Sequence, residues 1–583
     1  MAWDAGEARL EIVHPSLQGD DRVLANRRDV PNALGMWSAP TPPEGMEAEV
    51  IVLKRGTSEE CRSLDLRGKI VLTSTEPRTI KAAVVAGGGI GVISDYIRNG
   101  DLRDATHWVN GWGDKPGAWM MTRTDSELFC FSISPKRGAW LRRLIRDRGP
   151  VRVWAKVDSR FYEGTLPYAT GIIPGTEEKG EEVLLSGHLY EQGANDNASG
   201  TASILETARA LNGLIERGVL PRPRRNIRFL HMAECYGSLA YAERHRERLR
   251  RTLTSVCVDS GAGCYDLVGS MITLVLSPHC QKAYVDALMM HILDRYFSRY
   301  ARTKRWSTAP YQMATDTFFC DPAIGIPTTW PHMGMGRDYW HNSADSLDKV
   351  DPRSLRDLSA INGTFLYVVA AAGPTEAIWL AEETFALGMR NLTTCSKRLL
   401  VEAFGAEDEE TLGKVLDKGL RRIAHFAERE GQALHSVERL TDAESLKEHV
   451  ERLEKRLRHT AEEAQKGFEE ALRRCAALKG MTVERIEEQE GAWEQEAVRI
   501  VPVRNDIIGT VALDDVPYEQ WGVVDRSPRW WGPETAAWWW ADGRRSVREI
   551  RDLVLQEFEE LPIDLLDYFR FLEKHGYVSF SHL

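Results

Sequence analysis

Residues 186–200 read SGHLYEQGANDNASG. They follow the apolar VLL of 183–185 and lead into ASILETARALNGLI, 202–215. A short apolar run that breaks at glycine and polar residues, then resumes with helical spacing, reads as strand, turn and helix. In the helix, Ile204, Leu205, Ala208, Leu211 and Ile215 share one face. A histidine, a glutamate and an aspartate crowd the turn. Asn and Asp commonly cap helices and bond turn backbone. This window alone leaves Asp196 open between a cap and a binding group.

The same alternation continues across residues 160–375. EVLLSG, NIRFLHM, TSVCV and IGIPTTW read as strands, separated by helix-patterned segments. In the last of these helices, Leu355, Leu358, Ile361, Phe365 and Val369 fall on one face. Alternating strands and helices predict an α/β domain, a mainly parallel mixed sheet with helices on both faces. Ligands bind such sheets at the carboxyl ends of the strands.

Those strand ends carry chemistry. The first yields His188 and Asp196, RFLHMAECYGS yields Glu234 and Cys235, SVCVDSG yields Asp259, and DYWHNSADSLDKVDP yields His341. Each alone reads as a cap or a satisfied polar group. Together they offer nitrogen and oxygen donors and a candidate thiolate, a mixture that suits zinc with a position left open for water. Zinc lowers the pKa of bound water to about 7. A carboxylate outside the ligand set then takes the proton and returns it to a leaving amine.

The rest of the chain divides by composition. Residues 1–45 are irregular and proline-bearing and are expected to pack on the catalytic domain. Residues 46–155 read as a small β-rich domain, with a catalytic domain at 156–375. Residues 376–500 are rich in Glu, Arg, Lys, Leu and Ala. Leu446, Val450, Leu453, Leu457, Ala461, Ala464, Phe468, Leu472 and Cys475 make a heptad-like seam, and 412–434 offers an antiparallel partner. A helical hairpin is expected there, with a surface available for homo-oligomerisation. Residues 501–583 suggest a small α+β, winged-helix-like tail rich in tryptophan.

Composition excludes several classes. The 583 residues carry a net charge of −11, which argues against a nucleic-acid partner. No run is apolar and long enough to span a membrane. The start lacks a basic region followed by an apolar stretch, so no secretory signal is expected. Nine scattered cysteines without a CxxC pair look like reduced thiols, and a cytoplasmic protein is expected.

Taken in order, GHLYEQGANDNASG, AECYGS, VDSG and HNSADSLDKVDP resemble the dinuclear zinc aminopeptidases related to those of Aeromonas and Streptomyces. GKIVLT and KAAVVAGGGIGVI resemble the protease-associated domain often attached to that family, and the tail resembles a winged-helix module found in a subgroup. The resemblance implies that His188 and Asp259 hold one zinc, that Asp196 bridges two, that His341 binds the second, and that Glu234 is the general base. Asp316 falls in a stretch given a substrate-amine or metal-supporting role. WPHMGMGRDYW, 330–340, is expected to line the pocket.

Two positions depart from that family. Cys235 stands where a second glutamate ligand is usual, and either binds zinc as thiolate or points away. Tyr190 stands where an aspartate usually orients the first histidine. One or two zinc ions per chain therefore remain open. The leading expectation is an aminopeptidase acting on a peptide or small amide. Other metal-dependent amide chemistry, a glutaminyl-cyclase-like reaction, and a non-catalytic scaffold are the alternatives.

Overall fold

The computed structural model describes the chain apart from residues 116–120, 122, 178, 335–338, 487–490, 512, 514–515, 517–519, 522–523, 525–530 and 583. Seven strands form the first sheet: β1 (Ala2–His14), β2 (Val23–Asn26), β3 (Met46–Val52), β4 (Ile70–Thr73), β5 (Gly91–Ser94), β6 (Phe129–Ser132) and β7 (Arg152–Tyr162). Their spatial order is β2-β1-β7-β3-β4-β5-β6. The β3 to β6 half is parallel, and the half containing β1, β2 and β7 is antiparallel.

The expectation for residues 1–45 is corrected here. They do not lie against the catalytic domain as a separate segment, because β1 pairs along β7 from Ala2 opposite Tyr162 to His14 opposite Arg152. The reason is a period of two. Ala8, Leu10 and Ile12 alternate with polar residues and bury beside Val153, Ala155 and Val157.

The second sheet contains β8 (Ala169–Ile173), β9 (Glu182–Leu189), β10 (Asn226–Ala233), β11 (Thr252–Cys257), β12 (Ile272–Val275), β13 (Trp306–Ala309) and β14 (Thr328–His332). The order is β13-β12-β14-β11-β9-β10-β8. β9 is central and parallel to both neighbours, and it is buried from Glu182 to His188. Val183 and Leu185 face the helices Ala198–Glu216 and Pro352–Ala371. Leu184 faces the other way, with Leu230, toward Tyr241 and Ala242 of the helix Tyr236–Arg244. Helices thus cover both faces of a mainly parallel mixed sheet.

The helical region holds three long helices rather than a hairpin: Pro374–Gly405, Glu409–His435 and Glu444–Leu478. The last two are antiparallel, with Gly431 near Glu454 and Gly419 against the Phe468 ring. The first packs against both and against the helix Val285–Tyr300. One continuous apolar core runs from Val183 in β9 to Leu472 in this bundle. Buried Arg225 ties the two regions, donating to the carbonyls of Val369, Ala372 and Leu440.

The tail runs β15 (Ile500–Arg504), helices Pro533–Trp540, Val547–Glu557 and Leu565–Lys574, then β16 (Val578–His582), which pairs with β15. Trp538 and Trp539 are buried, and their cluster takes in Cys235, Cys257, Val275 and Trp330 of the second sheet region. Arg504 forms a two-pronged ion pair with buried Asp321, at 2.7 and 2.8 Å.

Glu557 closes one edge of this junction. Its Oε2 is buried without a partner, and Oε1 only accepts a 3.4 Å bond from the His279 amide. Burial pushes its pKa up to about 7 from 4.5. Between those values the folded chain binds a proton that the unfolded chain has released, so stability falls as pH rises through that window. Glu557→Gln is expected to raise Tm at pH 8, by on the order of 1–2 kcal/mol of stability, and to leave Tm unchanged at about pH 4. Equal gains in thermal melts at both pH values would show that shape, not charge, sets the cost.

Candidate metal centre

The turn after β9 divides its labour among three adjacent residues. Asn197 caps the following helix: its Oδ1 accepts from the amides of Gly200 (3.1 Å) and Ser260 (3.2 Å). The Asn195 side-chain oxygen accepts from the Ala262 amide at 2.9 Å. Asp196 does neither. Its carboxylate faces two imidazoles, with Oδ2 3.2 Å from His341 Nε2 and Oδ1 3.9 Å from His188 Nε2. Asp345 grips the turn, accepting from the amides of Asn195 (2.8 Å) and Asp196 (3.0 Å). A Cβ at Gly193 would stand 2.1 Å from that carboxylate, so only glycine fits there.

His188, at the end of β9, is held from behind. Its Nδ1 donates to Asp316 Oδ2 at 2.9 Å, both side chains being fully buried. This bond leaves Nε2 facing the site, the arrangement a metal-binding histidine requires. Around Nε2 lie Glu191 Oε2 at 3.1 Å, Asp196 Oδ1 at 3.9 Å and Glu234 Oε1 at 4.0 Å. Ligand atoms of His188, Glu191 and Asp196 lie within 4.8 Å of one another, as do those of His188, Glu234 and Asp259. His341 closes the far side, its Nε2 3.6 Å from Glu191 Oε1.

The side chains of Glu191, Asp196, Glu234 and Asp259 are buried; among the described residues the first three are ion-paired with the two histidines, and Asp259 accepts from the Ser260 hydroxyl at 2.9 Å. Burial raises the pKa of Glu234 and of Asp259 well above the carboxylate range, and neighbouring carboxylates push further. Burial alone would lower His188, but the Glu234 and Glu191 carboxylates hold it well above the ordinary histidine value. Asp196 goes the other way: bonds to Glu191, His188 and His341 outweigh burial and hold it low. Such a cluster calls for a cation.

A metal ion fits the donors present. Two ligands about 2.0–2.1 Å from a tetrahedral zinc stand roughly 3.4 Å apart, close to the separations above. The donors are imidazole nitrogen and carboxylate oxygen. Glu234 keeps its Oε2 buried with no hydrogen-bond partner, a group waiting for one.

Residues 170–366 match the family model of Peptidase family M28. Rat carboxypeptidase Q is 25% identical over 395 residues, covering 63% of this chain and 74% of that protein. Rat aminopeptidase NAALADL1 is 24% identical over 334 residues, 43% of this chain and 44% of that one. The zinc aminopeptidase BSAP of Bacillus subtilis has a similar solved structure, with 18% identity and a TM-score of 0.45, covering 63% of this chain and 83% of that one.

Residues 170–366 bring His188, Asp196, Glu234, Asp259 and His341 together, with Asp316 directly behind His188. Two expected residues lie elsewhere. Cys235 belongs to neither ligand group among the described residues. It packs in the tail's apolar cluster, and its amide donates to Asp316 Oδ1 at 2.9 Å. Burial, then the Glu234 and Asp316 charges, push its thiol well above the ordinary value. Tyr190 is 56% exposed and points away. Asp316, from a distant segment, makes the bond expected of an aspartate at 190. Of the stretch 330–340, residues 335–338 lie outside the described residues, while Trp340 stacks on His341 with ring centroids 3.5 Å apart. Sequence reasoning assigned no role to Glu191 or Asp345, although both sit inside the quoted motifs.

Asp316→Asn should weaken metal binding by about 10- to 100-fold, because it removes the group that fixes the His188 ring. Chelator competition measures this, with far-ultraviolet circular dichroism checking the fold. Unchanged affinity would mean that packing alone orients His188.

Proposed function

We propose that this protein is a metal-dependent aminopeptidase, with zinc as the metal, that removes the N-terminal residue of peptides. The observation that carries the reading is the Glu234 carboxylate: buried, with one oxygen unpartnered and the other 4.0 Å from a histidine nitrogen that faces the acidic cluster. His188 and Asp259 would hold one ion, His341 a second, and Asp196 would be shared between them. A divalent ion there supplies Lewis acidity, polarising the scissile carbonyl and lowering the pKa of water.

The remaining work falls to the chain's own groups. Glu234 accepts the proton of the attacking water and delivers it to the departing amine. Asp316 keeps the His188 proton on Nδ1, away from the reacting side. Among the described residues no Lys or Arg pairs with Glu191, Asp196, Glu234 or Asp259, so the chain offers no cationic side chain beside them to hold a substrate carboxylate. The names of the two rat proteins span both chain ends, and the lack of such a cationic side chain favours the amino end.

Glu234→Gln should lower kcat by about 10²- to 10⁴-fold on an aminoacyl reporter while metal content stays constant. The N-acetylated reporter should not turn over with either protein. Full turnover by Glu234→Gln would remove the residue as base, and cleavage of the blocked reporter would overturn the aminopeptidase reading.

A further inference from the structure

Asp196 is not the only carboxylate lying between the two imidazoles. Glu191 spans the same gap, with Oε2 3.1 Å from His188 Nε2 and Oε1 3.6 Å from His341 Nε2. Asp196 also presents a separate oxygen to each ring. The Glu191 side chain is only 5% exposed, although it sits in a turn whose preceding residue is largely in water. Backbone geometry explains the contrast. Tyr190 has φ +78°, which turns the chain so that its own ring leaves the site and the next side chain enters it.

An ion pair with a protonated histidine would account for one such contact. It does not account for two carboxylates each divided between the same two rings. His188 already bonds Asp316 through Nδ1, so a single Nε2 proton would have to serve both carboxylates. Beside them, Glu234 keeps a buried oxygen without a partner, which points independently to a missing ligand. Meanwhile Cys235, the residue adjacent to Glu234 in the chain, is committed to the tail's apolar cluster.

We propose that Glu191 is a metal ligand, completing with His341 and Asp196 the protein donors of a second divalent-ion position that Cys235 does not serve. This rests on the reading of the site as a metallopeptidase centre. Three nitrogen and oxygen donors with an open position suit zinc or a similar borderline divalent ion. Position 235 is then free to be a small apolar contact for the tail.

Zinc is the probe. Full-length protein is stripped with chelator, titrated with Zn²⁺ by calorimetry, and analysed for bound zinc by elemental analysis. Wild type is expected to bind two ions per chain. Glu191→Gln should keep one tight ion and weaken the other by at least about 100-fold, since loss of even an outer-shell partner costs 10- to 100-fold. Cys235→Ser should keep both. Melting of the stripped proteins checks folding, and Glu191→Asp, which keeps the charge on a shorter stem, should weaken the same single ion. Two ions at unchanged affinity in Glu191→Gln, or loss of an ion in Cys235→Ser, would overturn the assignment while leaving the metallopeptidase reading intact. One ion in wild type would overturn the second position. No ion in wild type would overturn both readings.

Discussion

Four carboxylates and two imidazoles are buried within a few ångströms of one another at the carboxyl ends of β9, β10 and β11 and in the loop that carries His341. Like charges this close, in low dielectric, repel strongly unless a cation joins them. That constraint explains why so much of the surrounding structure grips backbone instead of merely filling space. Asp345 fixes the Asp196 turn through two amides, Asn197 fixes the helix that follows, and Asp316 fixes His188. Each restrains a group that repulsion would otherwise displace.

The modules outside residues 170–366 hold pieces of the same site. The loop after β5 brings Trp108, whose amide donates to the His341 carbonyl at 2.8 Å, and Thr106, which exchanges bonds with Ser343. The Trp108 ring packs edge-on against His341, with centroids 5.2 Å apart. The tail grips the opposite side. Arg504 and the Gly509 amide bind Asp321, five residues beyond Asp316 and at the end of the same short helical turn. The chain therefore runs from Arg504 through Asp321 to Asp316 and so to His188. On this account the tryptophans of the tail stabilise an ion-binding geometry they never touch.

Much of this was legible in the sequence, for identifiable reasons. β9, β10 and β11 are buried apolar runs, and a run that ends in Gly-His, Ala-Glu or Val-Asp announces a polar group at a strand end. The heptad seam of 446–475 was legible because its partner lies in the same bundle. Other features depend on pairings that no local pattern encodes. β1 alternates cleanly, but the sequence does not say that its partner is β7, about 150 residues away. Asp316 replaces an aspartate expected at 190 from 126 positions downstream, which only the fold brings into register. Glu191 stood in the quoted motif, yet its direction depends on the backbone turn at Tyr190. Cys235 was legible as an anomaly, but its surroundings belong to the tail.

Backbone strain is distributed in the same way. Seven described residues other than glycine have positive φ, and four of them adjoin or belong to the site: Tyr190, Cys235, Ser260 and His341. Tyr190 precedes Glu191, Cys235 follows Glu234, Ser260 follows Asp259, and His341 is itself a candidate ligand. A left-handed conformation at a non-glycine residue costs on the order of 1–3 kcal/mol and persists only where surrounding contacts over-determine it. A strand that delivers a carboxylate into a crowded centre must turn away at once, because its next side chain has no room there. Glycine would relieve the strain but would also loosen the turn. The chain instead keeps side chains at these positions and locks three of the four: Cys235 under the tail, Ser260 against Asn197 and Asp259, and His341 beneath Trp108 and Trp340. Burial across all the modules thus offsets a local cost concentrated at the point where the donors converge.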